Sequence, residues 1–66
     1  MKIKYFEDTD TALVELSSNE VVETREVNEN VLVDLDRQGK VVSLTIEHAS
    51  EQADMSELAF QRFGTE

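Results

Sequence analysis

The chain has 66 residues, no cysteine, and fifteen acids against six bases, for a formal charge of −9. A chain this short holds one thin core and a single domain, and without disulfides or thiolate-bound metal the staple left to it is association with another chain. The charge repels phosphate backbones and anionic lipid, so no nucleic acid and no membrane is expected as a partner, whereas a basic protein would be attracted.

No apolar run approaches the ~18 residues needed to cross a bilayer, and Met1-Lys2-Ile3-Lys4 lacks the apolar stretch of a signal peptide, so a cytoplasmic location is expected. One histidine is too few for most nitrogen-ligated zinc sites. The two glycines, Gly39 and Gly64, are too far apart for a phosphate-cradling loop, and no cofactor is expected.

The first two thirds of the chain read with period two, which sends alternate side chains to opposite faces of a sheet. Strand one is expected over about 2–6, where Ile3 and Tyr5 alternate with Lys2 and Lys4; lysines there discourage edge-to-edge pairing. Glu7-Asp8-Thr9-Asp10 turns the chain into strand two, about 11–17, with Ala12, Val14 and Leu16 on one face and Leu13, Glu15 and Ser17 on the other. Strand three, about 21–27, is less clean, since Glu23, Thr24, Arg25 and Glu26 put polar groups on both faces.

Asn28-Glu29-Asn30 turns the chain again. The clearest strand signal follows at about 31–36, where Val31, Val33 and Leu35 alternate with Asp34 and Asp36. Asp36-Arg37-Gln38-Gly39 suits a type I turn with Gly39 at positive φ, closing a hairpin into strand five, about 41–47, with Val42, Leu44 and Ile46 inward. The expected core is Val14, Leu16, Val33, Leu35, Val42, Leu44 and Ile46.

From Ala49 the period changes. Met55, Leu58, Ala59 and Phe63 recur at helical spacing and predict a helix over about 51–63, starting at Ser50, or at Asp54 with Glu57 as a capping box, and stopping at Gly64. Phe60 does not fit the same stripe as Phe63, so Met55, Leu58, Phe60 and Phe63 are expected to form an interface in a homo-oligomer. The resulting class is α+β: a single domain over 1–66, an antiparallel β-meander of four to five strands followed by one short C-terminal helix.

Lys2-Ile3-Lys4-Tyr5, Thr11 to Ser17, Glu23-Thr24-Arg25-Glu26, Val31-Leu32-Val33-Asp34-Leu35-Asp36, Gly39, Val41-Val42 and Ile46-Glu47-His48-Ala49-Ser50 together resemble domain-of-unknown-function family 2283, a family of short prokaryotic proteins. The resemblance covers residues 1 to 50. It implies a β-meander with a C-terminal helical tail, bacterial origin and self-association, but no reaction and no functional residues. Members sit beside small toxin-like genes in some cases, which adds an antitoxin-like role with a basic, toxin-like partner to the expectations. The chain departs from the family at Phe6-Glu7, where members often carry aspartate-proline, and at Leu13, where many have an aromatic residue.

Asp34 and Asp36, two apart on one strand, are the weak candidates for a hard-cation site or an acid/base pair, but fifteen acids make such pairs common by chance. Asp8 and Asp10 lack the glycine and distal glutamate of an EF-hand loop. His48 would need one of Ser17, Ser18, Ser43, Ser50 or Ser56 for nucleophilic chemistry, and none sits in a G-x-S-x-G elbow. The reading is a non-enzymatic interaction module that self-associates or binds a basic protein. The alternative is a small enzyme or divalent-cation-binding protein using the acidic strand face.

Overall fold

The computed structural model describes residues 1–64. Five strands, β1 (Lys2–Phe6), β2 (Thr11–Glu15), β3 (Glu23–Asn28), β4 (Val31–Leu35) and β5 (Val41–Glu47), precede a helix α1 (Ala49–Gln52). The expected antiparallel meander with a short C-terminal helix is present. Its hairpins are β1–β2, β3–β4 and β4–β5, while the link over 16–22 carries the chain to the far edge, so the spatial order is β1-β2-β5-β4-β3. Every neighbouring pair is antiparallel, and β1 and β3 are the two edges.

The register lines residues up in rows across the sheet. Ile3, Val14, Leu44, Val33 and Arg25 form one row and Tyr5, Ala12, Ile46, Val31 and Asn28 another, so the inward positions read from alternation share one face. The opposite face carries the row Lys2, Glu15, Ser43, Asp34 and Thr24 and the row Lys4, Leu13, Thr45, Leu32 and Glu26.

Burial is deepest at Ala12, Leu35, Val42 and Ala49, while Val14, Val33, Leu44 and Ile46 are half-buried. Among the described residues no large side chain is fully buried, and the shortest dimension of the molecule is 19 Å. Stacked sheets lie about 10 Å apart, so this is a single sheet with only a partial second layer.

Leu16 does not belong to the core: it is 41% exposed. β2 stops at Glu15 because the amides of Leu16 and Ser17 both donate to the Val42 carbonyl, at 2.8 and 3.3 Å, which ends the regular ladder and sends Leu16 into the link. β3 begins at Glu23 rather than Val21, although the Val22 amide still donates to the Leu35 carbonyl at 2.9 Å. β4 ends one residue early, at Leu35, where the register with β5 slips between Asp34 and Leu35.

The helix over 51–63 is not formed. α1 covers Ala49–Gln52 and ends where Ala53 turns to extended backbone, φ −152° and ψ 161°. Ser50 lies inside α1 instead of capping it, and His48 stands at the N-cap position with φ 55° and no side-chain cap. Asp54 does accept the Ser56 amide at 2.9 Å, as an N-cap would, but no helix follows and Gly64 terminates none. Two causes act together: Asp and Ser side chains bonding their own backbone compete with helix formation, and a helix of about a dozen residues is marginal in water unless a packed face holds it.

Candidate interaction surface

The turn between β4 and β5 is built around Asp36. Gly39, at φ +82°, donates its amide to the Asp36 carbonyl at 3.0 Å. The Asp36 carboxylate accepts the amides of Gln38 and Lys40, both at 2.9 Å, and the Asn19 side-chain amide at 3.0 Å. These donors, the Lys40 amide first and the Asn19 amide next, hold the Asp36 carboxyl below its usual range. Asp34 lies within the strands, where its two oxygens accept the hydroxyls of Ser43 on β5 and Thr24 on β3, each at 2.6 Å, and these lower its pKa in that order. The two acids singled out as a pair therefore take separate structural partners and do not converge. Among the described residues no group of three or more His, Cys, Asp or Glu is gathered to hold a metal ion.

His48 Nδ1 lies 3.0 Å from Oδ1 of Asn30. Four of the five serines named above are engaged elsewhere: Ser43 with Asp34, Ser50 with Asp10, Ser56 with Asp54, and Ser17 with the Asn19 amide. None is hydrogen-bonded to His48.

The polar centre that sequence reasoning missed is Asp10. It sits at φ 55° in the first turn and accepts the Tyr5 hydroxyl, the Ser50 amide at 3.0 Å and the Ser50 hydroxyl at 2.7 Å, while its carbonyl accepts the Ala49 amide at 2.9 Å. The Tyr5 and Ser50 hydroxyls lower the Asp10 pKa, and the same bond raises that of Tyr5 by retaining its proton. Sequence offered one signal for it: Asp tolerates the left-handed region that a tight turn needs. Its partner Ser50 lies too far along the chain to be found by spacing.

Beside these polar groups the structure leaves part of its apolar surface exposed. The inward face carries Ile3, Val14, Val31, Val33, Leu44 and Ile46, with Ile3 42% exposed. Of the expected interface residues, Met55 is half-buried while Leu58, Phe60 and Phe63 are exposed, Phe63 to 88%. The structure brings Leu58 and Phe60 together with Ala59, Met1 and Ile3 around a groove beside β1. Phe63 is not part of it. No helix among the described residues is long and apolar enough to cross a membrane.

The fold and surface define a small antiparallel β domain with one polar, hydrogen-bonded face and one apolar face only partly covered. The chain belongs to the family described as protein of unknown function (DUF2283), whose model matches residues 2–50. No curated protein and no solved structure matches it. The family match ends within α1, so Met55, Leu58, Phe60 and Phe63 lie outside the matched segment.

Proposed function

We propose that this chain is a non-enzymatic protein-interaction module that self-associates or docks onto a basic protein partner. The observation that carries this reading is the partly covered apolar sheet face, continuous with the exposed Leu58 and Phe60 beside β1. An apolar surface left wet by a chain too small to cover it gains free energy when a second surface excludes water. The formal charge of −9 supports a basic partner by steering, an effect that falls with ionic strength. The carboxylates that would serve a catalytic or cation-binding reading are engaged in turn and cross-strand hydrogen bonds.

Sedimentation equilibrium of the full chain over a concentration range tests the self-association arm. The expected result is a species above 7.5 kDa whose population rises with concentration. Titration with a basic protein at low and high salt tests the other arm. A chain that stays at 7.5 kDa throughout and binds no basic protein would sink the reading.

A further inference from the structure

The reading above leaves open which surface joins two copies, and β3 supplies an answer that rests on it. β3 is an edge strand, and every one of its residues is exposed. Glu23 and Arg25 project to the same side, with Arg25 Nε 2.7 Å from Glu23 Oε2. An exposed edge offers unpaired N–H and C=O groups, and a second copy can add its own edge antiparallel about a two-fold axis normal to the sheet. That symmetry keeps the apolar faces on one side and requires the register to be centred on a residue meeting itself. Centring on Glu23 puts Glu23 against Glu23, on Arg25 puts Arg25 against Arg25, and on Glu26 puts Glu26 against Glu26. Centring on Thr24 alone sets each Glu23 opposite the other copy's Arg25.

We propose that two copies of this chain pair through β3 in the register centred on Thr24, forming one ten-stranded antiparallel sheet whose two apolar faces lie on the same side, joined by a charged seam. On the face that Glu23 and Arg25 share, the four charges at the seam alternate in sign, and cross-strand pairs of opposite charge stabilise a ladder where like pairs oppose it. The other edge is unsuited to the same device: the only charged residues on β1 are Lys2 and Lys4, so no register within it sets opposite charges against each other.

Charge swaps in the full chain, read by sedimentation equilibrium, test the register. Glu23→Arg alone and Arg25→Glu alone each make the seam like-charged and should weaken self-association by about tenfold or more. An equimolar mixture of the two variants should recover it, because each then meets its opposite, and the double swap should recover it within one chain. Both positions are exposed at the edge, and circular dichroism of each variant verifies the fold.

Thr24→Cys supplies the independent arm. Residues directly opposite in an antiparallel pair lie about 4.5 to 5.5 Å apart at Cα, within disulfide range, and the chain has no other cysteine. Mild oxidation should cross-link Thr24→Cys and leave Asn28→Cys largely unlinked. A wild-type dimer indifferent to all the swaps, with no cross-link at position 24, overturns β3 pairing while self-association stands. A wild-type chain monomeric at hundreds of micromolar overturns both.

Discussion

Two aspartates in this chain fold their own backbone in the same way and end up with opposite standing. Asp36 accepts the amide of Gln38 and Asp54 accepts the amide of Ser56, each two residues on, and each at 2.9 Å. Asp36 is buried, flanked by the buried Leu35, and takes further bonds from Lys40 and from Asn19 across the molecule. Asp54 is exposed and its side-chain partners are all on Ser56. The local motif bends the chain equally well in both places, but only where long-range donors and apolar neighbours converge does the bend become part of the fold.

The hardest blow to the Asp36 corner is expected from Leu35→Ala, which should cost about 2 to 4 kcal/mol if the corner collapses as little as a packed site does. Denaturant titration measures it, and a loss below about half a kilocalorie would erase the difference between the two regions. Asp36→Ala comes next, because it strands the Gln38 and Lys40 amides. Asp36 has a lowered pKa in the fold, so its contribution is present above the unfolded aspartate value of about 3.9 and fades as pH falls through the folded value. Melting curves from pH 7 to pH 2.5 should therefore show wild type losing part of its stability below about pH 4, and Asp36→Ala, less stable at neutral pH, losing less over that window.

Gly39→Val should cost about 1 kcal/mol or more through backbone strain alone, since a Cβ at that position meets nothing within 4 Å while φ is +82°. Gly39→Asn should be milder, and equal melting temperatures for the two would break the turn assignment. At the other region, Asp54→Ala should leave the melting temperature within replicate scatter. A fall as large as that of Asp36→Ala would mean that the tail is held to the sheet more firmly than its exposure implies.

The sheet was legible because a two-residue period reports directly on which side chains share a face, and Val14, Leu44 and Val33 do line up in one row. Leu16 continued that period on paper, but its own amide and that of Ser17 both turn to the Val42 carbonyl. The strand order was not legible, since alternation within β2 and β5 says nothing about their pairing. The tail misled for a related reason: Met55, Leu58 and Phe63 have helical spacing, yet spacing does not reveal whether a surface exists to receive the stripe. The polar character of both faces of Glu23 to Glu26 was visible in the sequence. Its cause, an edge position, needed the topology.

The bonds from Asp10 to Ser50 span forty residues of chain. Such a closure carries a large loop entropy and forms only when the strands between are in place. The amides of Ala49 and Ser50, both donated to Asp10, thus act as a latch whose hydrogen exchange reads the opening of the corner between the first turn and α1. Ser50→Ala should uncouple the latch from one side, so that exchange at these two positions quickens while the amides of β5 keep their protection.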